Sequence, residues 1–575
     1  MSEEIKKQLK YFDNYNKDLL CRIPDTAQNV VDVGCGCGAL GAEYKRINPN
    51  SFIIGIEQHS EAAQEARKRL DLVIEIDLDK EPVPKFSEKL KDIDCLVYGD
   101  VLEHLRDPLS LLKCQSEWLS DDGIVIASIP NVQHWSTFVN LLNGEWPQLE
   151  SGLFDATHLR WFTRKSAVEL FRKAGLTVHD VTPRVFKEEK AIAFATKLLP
   201  ALKGMEINPQ ELLSGISPLQ YIIRAGKSSA KPILISGLML QPQAGMNEVR
   251  MINPLQSIAS HPGVIVELNH NSIKLLPASS EIPRVMIWQR QQLTFEHSIE
   301  QLKAALNAGY VLVSEFDDDP DHWPAIAANR NLNFTAMHGV QTSTEPLAAK
   351  LREINPETIV FANAITSLPP MFNQWPEKPS AIQPLKLFFG ALNREADWKP
   401  WIAQINQVLL QDNQYWHVEV VHDKLFFDSL ETSHKSFTPT CSHDQYMQIM
   451  SKCHVAFLPL SDTAFNRMKS DLKYVEAASC CLAVLASPTV YEDTIQKGLT
   501  GEIFTTAQEI NSILSGWQAN PLIALSIAKK AKAWVQENRL LCKQSQIREA
   551  WYRQLWQRRG ELHTAILKRV PELAV

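Results

Sequence analysis

The chain has 575 residues, which is too long for a single hydrophobic core and predicts roughly three or four domains. Its composition, with 45% hydrophobic and 22% charged residues, is that of an ordinary globular protein. The formal net charge of −7 argues against a dedicated nucleic-acid-binding protein, which usually carries an excess of basic residues.

The cysteine pattern indicates a reducing compartment. The ten cysteines are scattered without a CxxC pair, two of them in a glycine-rich loop (Cys35, Cys37) and two adjacent (Cys480, Cys481). The first ten residues contain no apolar signal region, and no apolar run approaches the length of a membrane span. We therefore expect a cytoplasmic protein. The sequence leaves room for a peripheral contact with a membrane and does not fix the oligomeric state.

Residues 28–130 alternate short β-rich runs with helical stretches. The segments NVVDVG, SFIIGIE, DLVIEID, IDCLVYGD and GIVIASIP read as strands, and SEAAQEARKRL reads as a helix with Ser60 as its N-cap. Alternation of this kind predicts a parallel sheet with helices on its faces.

Two further alternations follow, the first from KPILISGLML through RVMIWQR, YVLVSEF and NFTAMHGV. The second runs from LKLFFGALN through HVEVVHD, CHVAFLPL and LAVLASP, and a long helical tail follows it from Leu522 to Leu567. A polar linker, RAGKSSAKP, and a proline-rich hinge, SLPPMFNQWPEKPSAIQP, separate the three units. The sequence therefore predicts an α/β protein with domains at 1–228, 229–380 and 381–575.

The stretch VVDVGCGCGALG, residues 30–41, lies between a strand and a helix, where nucleotide-like ligands bind parallel sheets. Its glycines allow the backbone to approach a ligand closely. Glu57 ends the next strand, nineteen residues after Gly38, and a carboxylate there can accept both hydroxyls of a ribose.

The glycine spacing alone also fits a dinucleotide site, because Gly34, Gly36 and Ala39 match GxGxxA. Two carboxylates favour a different ligand. Asp32 lies inside the strand, where dinucleotide sites usually have an apolar residue, and Asp77 could meet an adenine amino group.

The segments VVDVGCGCGALG, GIE, DVLEHLRDP, IPNV and GLFDATHLRWFT follow in an order that resembles class I S-adenosylmethionine-dependent methyltransferases. The similarity covers about residues 10–226 and is greatest to the small-molecule and glycan methyltransferases of bacterial surface-polysaccharide clusters. It implies that Asp32 and the glycines cradle the methionine part, that Glu57 holds the ribose and that Asp77 lies near adenine. The cofactor-binding residues that it implies are Asp32, Gly34, Cys35, Gly36, Gly38, Glu57, Asp77 and Asp100.

The methyl-acceptor side of such a fold is expected around GDVLEHL and DATHLRWFT. His104 is a candidate base for deprotonating a hydroxyl, or a residue that only packs under the cofactor. Glu103 and His104 could instead help to hold a metal, as in relatives with an ExxEH pattern, but Asp100 occupies the first position here, so we predict no metal ligand. His158 and Arg160 are expected on a lid over the acceptor, where His158 either is catalytic or shapes the loop. The tripeptide IPN (Ile129 to Asn131) differs from the NPPY type of amino-group methyltransferases, so we favour a hydroxyl group as the methyl acceptor.

Residues 231–575 resemble a GT-B-type glycosyltransferase, with two Rossmann-like domains. SEFDDDP, HGVQTST and FANAI look like the acceptor half, and LFFGALN with the segment from Tyr446 to Ser487 looks like the donor half. The resemblance implies that Glu476 binds the ribose of the nucleotide and that upstream cations neutralise the diphosphate leaving group. The nucleotide-sugar-binding residues that we predict are Gly245, Arg250, Gly390, Arg467, Lys469, Lys473 and Glu476.

One departure from that family concerns the sugar contacts. Many relatives have two glutamates eight positions apart, and Met468 stands where the first would be. Asp317 and Asp319 invite a metal interpretation, but we favour a solvated strand end near the acceptor cleft. His338 is predicted as a catalytic base or phosphate contact, with a packing role as the alternative.

The sequence thus predicts a bifunctional enzyme. It would methylate a hydroxyl of a glycan or glycan precursor with S-adenosylmethionine and transfer a sugar from a nucleotide-sugar donor, with a glycan or glycoconjugate as partner and no nucleic acid. Two alternatives remain at this point. The second half could be an inactive GT-B-shaped glycan-binding module, or the first half could be a dehydrogenase.

Overall fold

A computed structural model describes residues 12–80, 90–242, 245–372, 374–411 and 415–574. The N-terminal residues on which the absence of a signal region was judged lie outside these ranges. The chain divides into two compact units, one of residues 1–232 with 259–264 and one of residues 233–258 with 265–575. The predicted domain boundaries at 228 and 380 stay predictions.

The first unit is built on one seven-stranded sheet of order β3-β2-β1-β4-β5-β7-β6. Its strands are β1 (Asn29–Val33), β2 (Phe52–Glu57), β3 (Leu72–Glu75), β4 (Ile93–Gly99), β5 (Leu119–Pro130), β6 (Thr177–Val185) and β7 (Pro218–Gly226). The first five strands pair in parallel, whereas β7 runs antiparallel to β5 and β6. The central strands read as nearly continuous apolar runs because helices cover both faces of the sheet.

The helices of this unit connect the strands and pack on the sheet. They are α1 (Lys17–Leu20), α2 (Ala39–Ile47), α3 (Ser60–Ala66), α4 (Pro108–Ser116), α5 (Trp135–Leu142), α6 (Arg164–Lys173), α7 (Glu188–Gly204) and α8 (Pro209–Ile216), with a 3-10 turn at Leu102–His104. The prediction that Ser60 caps α3 is wrong, because His59 holds the N-cap position and Ser60 is already helical.

The second unit contains two six-stranded sheets in which every recorded strand pair is parallel. One has the order β13-β12-β11-β10-β8-β9 and the other β16-β15-β14-β17-β18-β19. The strands of the first are β8 (Ile233–Leu238), β9 (Val264–Asn269), β10 (Arg284–Gln289), β11 (Val311–Glu315), β12 (Gly339–Thr342) and β13 (Thr358–Val360). Those of the second are β14 (Leu385–Gly390), β15 (Trp416–Val421), β16 (Lys435–Thr438), β17 (Val455–Leu458), β18 (Ala483–Ala486) and β19 (Glu502–Ile503).

Helices flank both sheets of the second unit, as right-handed parallel crossovers require. Around the first sheet and in its connections they are α9 (Asn253–Ala259), α10 (Ile299–Asn307), α11 (Pro324–Ala328), α12 (Leu332–Thr335) and α13 (Glu345–Arg352). Around the second they are α14 (Glu395–Trp398), α15 (Ile402–Gln411), α16 (Lys424–Ser429), α17 (His443–Met450), α18 (Ala464–Arg467) and α19 (Leu472–Ser479). The chain continues with α20 (Ala507–Ala519), α21 (Pro521–Asn538), α22 (Ser545–Gln557) and α23 (Arg559–Arg569).

The predicted α/β class with parallel-rich sheets is confirmed. One further local prediction is wrong, because the segment NFTAMHGV begins as α12 and becomes a strand only at Gly339. The predicted helical tail is confirmed and consists of three helices, since non-helical or 3-10 segments follow Asn538 and Gln557. Across the described ranges, no helix is both long and apolar enough to cross a membrane.

Candidate active sites

The glycine loop of the first unit follows β1 and is held by the end of β2. The backbone N–H groups of Gly34 and Cys35 both donate to the carbonyl of Ile56, at 2.8 and 3.1 Å. The N–H of Gly36 donates to Oε2 of Glu57 at 2.9 Å. The loop therefore lies at the carboxyl edge of the parallel strands, where this type of sheet binds ligands.

Three glycines of the loop have left-handed backbone, with φ of +71° at Gly34, +53° at Gly36 and +77° at Gly38. A Cβ at Gly34 would lie 2.6 Å from Val101, and one at Gly36 would lie 2.7 Å from the carbonyl oxygen of Phe12. The sequence explained these glycines by the approach of a ligand. In the structure, neighbouring protein atoms already fill the space that a side chain would need.

Cys35 lies within the loop, but its thiol points into the sheet. The side chain is buried, and a Cβ at Gly55 of β2 would lie 2.6 Å from its Sγ. Burial raises the pKa of the Cys35 thiol, so it stays protonated at neutral pH. Cys35 can therefore contribute only backbone groups to a cofactor site.

Asp32 and Glu57 place two buried carboxylates beside the loop. Both oxygens of Glu57 have partners, because Oε1 accepts from the N–H groups of Gln58 and His59, at 2.9 and 2.8 Å, and Oε2 accepts, among the described residues, from Gly36 alone and can take a second donor. Asp32 is 4% exposed, and its Oδ2 has no hydrogen-bond partner in the described part of the chain. Burial, with a contribution from the charge of Glu57, raises the pKa of Asp32 to about 7. This unpartnered oxygen can receive a cationic group such as an α-ammonium.

The two remaining carboxylates predicted for the cofactor site lie at the same edge of the sheet. Asp77 follows β3, where its Oδ2 pairs with Lys80 at 2.7 Å. Asp100 follows β4 with a φ of +56°, and its Oδ1 accepts from Ser128 at 3.0 Å and from Gln220 at 2.8 Å. Both carboxylates thus already have protein partners, unlike Oδ2 of Asp32.

The predicted acceptor residues Glu103, His104 and His158 come together next to this edge. His158 Nε2 lies 4.0 Å from Oε1 of Glu103, and the two imidazole rings meet edge to face with centroids 4.7 Å apart. His158 Nδ1 lies 3.1 Å from the carbonyl of Leu153, and His104 Nδ1 lies 3.0 Å from the hydroxyl of Thr157. If each Nδ1 carries the proton and donates it to its oxygen partner, the Nε2 atom of each imidazole is unprotonated and can accept a hydrogen bond.

The electrostatics of this group favour neutral forms. Burial, reinforced by the charge of Asp100, raises the pKa of Glu103 well above its usual range. Burial lowers the pKa of both His104 and His158. Neutral imidazoles are able to accept a proton at neutral pH.

The same three residues could also hold a divalent cation. Their ligand atoms lie within 4.8 Å of one another, and neither oxygen of Glu103 has a hydrogen-bond partner among the described residues. The sequence analysis predicted no metal ligand because Asp100 occupies the first position of the ExxEH pattern, and it did not connect His158 with Glu103.

Aromatic residues that the sequence analysis did not single out stand beside this group. Trp161 lies 5.6 Å from the ring of His158 and 4.8 Å from that of Trp146. Arg160, predicted on the lid, donates through Nε to the carbonyl of Arg106 at 3.1 Å. The segment predicted as a lid therefore carries packed aromatic rings, and its Arg160 is held by the backbone of Arg106.

In the second unit, the predicted donor residues Glu476 and Lys473 belong to a larger group. We call it the His443 cluster: His422, His443, Tyr446, Lys473 and Glu476. His443 Nε2 lies 2.9 Å from Oε1 of Glu476, and Lys473 Nζ lies 3.6 Å from its Oε2 and donates to the Tyr446 hydroxyl at 2.8 Å. The ring of Tyr446 is nearly parallel to those of His422 and His443, with centroids 5.7 and 6.3 Å apart.

The charged residues of the His443 cluster stabilise one another in their ionised forms. Burial by itself would raise the pKa of Glu476, but Lys473 and His443 outweigh it and hold the pKa below its ordinary value. Burial would lower the pKa of His443, but the hydrogen bond and charge of Glu476 raise it. The side chain of Glu476 is 3% exposed, whereas that of Lys473 is 38% exposed, so the cluster opens to solvent at the lysine.

Two predicted glycines touch this cluster. Gly390 ends β14, where a Cβ would lie 2.6 Å from the ring of Tyr446, and its carbonyl accepts from the tyrosine hydroxyl at 3.3 Å. Gly245 has a φ of +84°, and a Cβ there would lie 3.1 Å from the ring of His443. The sequence missed His422, His443 and Tyr446, because no motif connects residues that follow different strands.

Three predicted cations have other partners. Arg250 is buried and forms a bidentate pair with Glu315, at 2.8 and 3.1 Å. Its remaining donor Nη1 reaches the carbonyl of Phe361 and the amide oxygen of Asn363, so it is not available to a diphosphate. Arg467 is paired with Asp462, at 2.5 and 2.6 Å.

Lys469 donates to Asp318 at 3.2 Å, and it precedes α19 rather than belonging to it. Lys469 therefore lies outside the helix that carries Lys473. Asp318 and its neighbours are not a solvated strand end either. Each carboxylate of Asp317–Asp319 has a cationic partner, in Arg290, Lys469 or Lys350.

The predicted role of His338 in catalysis is corrected by its position. It precedes β12 and therefore lies at the amino edge of the sheet, opposite to the edge where ligands bind. The residue is 3% exposed, its Nδ1 accepts from the N–H of Leu312 at 2.9 Å, and burial lowers its pKa to about 3. This environment favours the packing role.

A cavity of about 810 Å³ lies between the carboxyl edges of the two sheets of the second unit. We call it the hydroxyl-lined cavity. Its lining includes Ser343, Thr344, Ser461, Ser487, Thr489 and Thr494. Lys469 and Asp471 also line it, and they come just before Lys473 on α19.

Residues 5–181 match the family model of a methyltransferase domain. A ubiquinone biosynthesis O-methyltransferase of Cereibacter sphaeroides is 25% identical over 175 residues, which are 30% of this chain and 69% of that protein. Among solved structures, Anabaena HepE in complex with UDP and glucose is 15% identical with a TM-score of 0.41, covering 55% of this chain and 99% of that one. TarM is 11% identical with a TM-score of 0.35, covering 47% and 54%.

The family match favours a methyltransferase over the dehydrogenase alternative, and the unpartnered carboxylate of Asp32 agrees with a ligand that carries a cationic group. The two parallel sheets of the second unit have the architecture expected of a GT-B region. Residues 5–181 thus match a methyltransferase domain, and a region built on two parallel α/β sheets follows them.

Proposed function

We propose that this protein is a bifunctional enzyme that methylates a hydroxyl group of a glycan or glycan precursor and transfers a sugar from a nucleotide-sugar donor. For the first activity the supporting observation is the neutral group of Glu103, His104 and His158, beside a glycine loop with an unpartnered Asp32. The O-methyltransferase activity in the name of the Cereibacter relative favours a hydroxyl acceptor.

Residues of this chain fit S-adenosylmethionine in three places. The Asp32 carboxylate would receive the ammonium of the methionine part, Glu57 would accept from the ribose while it holds the loop, and Asp77 would face the adenine. The bound cofactor supplies an activated methyl group for in-line displacement. The protein then has to align the acceptor with that methyl group and remove its proton.

His104 is the base in this proposal. A hydrogen bond at Nδ1 to Thr157 orients the ring and leaves Nε2 to take the hydroxyl proton. The Trp161 ring next to His158, and the Trp146 ring that packs against Trp161, offer flat apolar faces that suit the face of a sugar ring.

We expect His104→Gln to lower kcat of methyl transfer by about 10²- to 10⁴-fold with little change in cofactor affinity, because only the proton acceptor is lost. Labelled methyl transfer to a panel of sugars and phenols identifies the acceptor, and the variant is then assayed on it. His179→Gln, whose ring contacts the carbonyl of Ser228, is the matched control and should keep full activity. An unchanged kcat would remove His104 as the base.

A second candidate mechanism is metal-assisted methyl transfer, which the unpartnered oxygens of Glu103 favour. Dialysis against a chelator separates the two mechanisms. Activity that survives chelation supports His104 acting as a base, and activity that is lost and then restored by Mg²⁺ supports a metal held by the same three residues.

We expect cofactor affinity to fall as the pH falls below 7. The raised pKa of Asp32, about 7, means that its carboxylate is ionised above this pH and protonated below it. Only the ionised form attracts an ammonium group, so Kd should rise roughly twenty-fold between pH 7.5 and 5.5. Calorimetric titration of S-adenosylmethionine checks this, and Asp32→Asn should bind weakly with a flat profile. A wild-type profile that is equally flat would contradict the role of Asp32.

For the second activity, the supporting observation is the His443 cluster at the carboxyl edge of the last sheet. Oε2 of Glu476 and Nδ1 of His422 are buried without hydrogen-bond partners among the residues described, and Lys473 is open to solvent beside them. Ribose hydroxyls and a base edge could satisfy these atoms, and Lys473 could neutralise a phosphate.

The test of the glycosyltransferase proposal is direct. Calorimetric titration with uridine, guanosine and thymidine diphosphates should show binding of at least one of them. Hydrolysis or transfer from the matching nucleotide sugar then distinguishes an enzyme from the inactive glycan-binding module. Absence of binding for all of these nucleotides would favour the inactive module.

A further inference from the structure

Carboxylates outnumber cations in the lining of the hydroxyl-lined cavity of the second unit. Five carboxylates and three cations line it, so its formal charge is negative. The carboxylates belong to Glu345, Asp462, Asp471, Glu492 and Asp493, and the cations to Arg467, Lys469 and Arg539. A cavity of this charge repels phosphates and carboxylates unless a cation is free to meet them.

None of these three cations is free. Arg467 forms a bidentate pair with Asp462, Arg539 Nη2 lies 2.7 Å from Asp471, and Lys469 Nζ lies 3.2 Å from Asp318. An anionic ligand at any of these cations would meet a carboxylate that is already in place, which adds to the repulsion; the pairs of Lys469 and Arg539 are largely buried, whereas that of Arg467 is exposed.

The carboxylates of Glu492 and Asp493, in contrast, are exposed and have no ion pair with any residue that the structure describes. Both follow β18 and line the cavity. Ionised carboxylates are strong acceptors for hydroxyl groups, and each has two oxygens for the purpose.

The opposite side of the cavity supplies a second, independent observation. Ser343 is 3% exposed, and its Oγ has no hydrogen-bond partner among the described residues although the residue lines the cavity. A buried hydroxyl without a partner costs free energy unless a ligand or water satisfies it.

The cavity also presents an aromatic surface. Trp401 is half-buried at the lining and packs edge to face on Phe504, with ring centroids 5.1 Å apart. A tryptophan face with hydroxyls and unpaired carboxylates around it matches a sugar ring, which has an apolar face and a rim of hydroxyl groups.

We propose that the hydroxyl-lined cavity binds the acceptor sugar of the glycosyl transfer and that it selects sugars without an acidic group. This rests on the proposed glycosyltransferase function of the second unit. The phosphates of the donor would lie outside the cavity, at Lys473. The ammonium group of Lys473 is 3.6 Å from one oxygen of Glu476 and remains partly exposed.

The experiment compares matched pairs of free methyl glycosides that differ only in an acidic group. Methyl glucoside, galactoside and mannoside are each measured against the corresponding uronate by saturation-transfer NMR on the full chain. At least one neutral sugar should bind in the millimolar range, and its uronate should bind at least about fivefold more weakly. A uronate that binds as well as its neutral partner, or failure of every neutral sugar to bind, overturns the proposal.

Variants locate the effect in the cavity. The double substitution Glu492→Gln with Asp493→Asn should lower the ratio of the affinity for the neutral sugar to the affinity for its uronate by about threefold or more, because it removes the two carboxylate charges that have no ion pair with a described residue. Glu537 is an exposed acidic residue on α21 outside the cavity lining, and Glu537→Gln should leave this affinity ratio unchanged. Equal behaviour of the two variants overturns the assignment to Glu492 and Asp493.

Titration of nucleoside diphosphates into the same samples separates this inference from the proposed function. If neutral sugars bind more tightly than their uronates and no nucleoside diphosphate binds, the glycosyltransferase proposal fails while the selectivity of the cavity stands. If a nucleoside diphosphate binds and the uronates bind at least as tightly as the neutral sugars, the selectivity fails and the proposed transferase activity stands.

Discussion

The substitution Gly36→Val is expected to abolish binding of S-adenosylmethionine. The backbone at this position has a φ of +53°, and the new Cβ would lie 2.7 Å from the carbonyl oxygen of Phe12. A β-branched residue resists that conformation, so the loop has to move. Movement breaks the hydrogen bond from the Gly36 N–H to Glu57 and with it the alignment of the ribose-binding carboxylate. Kd should rise by more than about 100-fold, or roughly 3 kcal/mol.

A matched control separates backbone strain from loss of the site. Gly175 also has a positive φ, +87°, but no atom lies within 4 Å of the position of its Cβ. Gly175→Val should lower the melting temperature while leaving cofactor affinity as in the wild type. Calorimetry on both variants, with nucleotide binding as a check on the second unit, decides the matter. Retained cofactor affinity in Gly36→Val would mean that the cofactor lies elsewhere.

Glu476→Gln should weaken nucleoside diphosphate binding by about 10- to 100-fold, or roughly 1.5–3 kcal/mol. The carboxylate is 3% exposed, and it orients His443 at 2.9 Å and attracts Lys473 at 3.6 Å. A neutral amide cannot hold both cationic partners, so the site for ribose and phosphate loses its geometry and an acceptor oxygen together. Isothermal titration of the diphosphates into wild type and variant measures the effect.

The third sheet offers a control of the same chemistry. Glu419 of β15 pairs with His417 at 3.4 Å, away from the carboxyl edge of the sheet. Glu419→Gln should leave nucleotide affinity unchanged, although it removes a similar carboxylate–imidazole pair. Circular dichroism and melting temperatures show whether each variant is folded. Equal affinity in wild type and folded Glu476→Gln would remove Glu476 from the donor site.

The pair of His443 and Glu476 should also make the stability of the unit depend on pH. The pKa of His443 is raised in the folded state, so the stability it contributes is present below its unfolded pKa and is lost as the pH rises through the folded value. The pKa of Glu476 is lowered, so its contribution is present above its unfolded pKa and is lost in acid. The difference in melting temperature between wild type and His443→Gln should therefore be largest near pH 5.5–6.5 and shrink at alkaline pH. A difference that grows with rising pH would contradict the ion pair.

The sequence by itself determined the α/β class and the position of the glycine loop. Both are local patterns, because the strand–loop–helix order and the glycine spacing lie within residues 30–41 and need no distant contact. It also singled out Asp32, Glu57, His104 and Glu476. The sequence could not tell which of Asp32 and Glu57 lacks a hydrogen-bond partner, because both are single acidic residues at or near the end of a strand. Of these two residues, only Asp32 has an unpartnered oxygen in the described part of the chain.

The tertiary structure decided which predicted side chains can meet a ligand. Arg250 and Lys469 looked like phosphate-binding cations, but Glu315 and Asp318, both on or after β11, hold them. His338 looked catalytic, but it lies at the amino edge of its sheet. His443 carried no motif, yet it contacts Glu476 from a different helix. In each case the deciding partner is distant in the chain, and parallel sheets bring such residues together only through long crossover connections, which a local sequence pattern does not record.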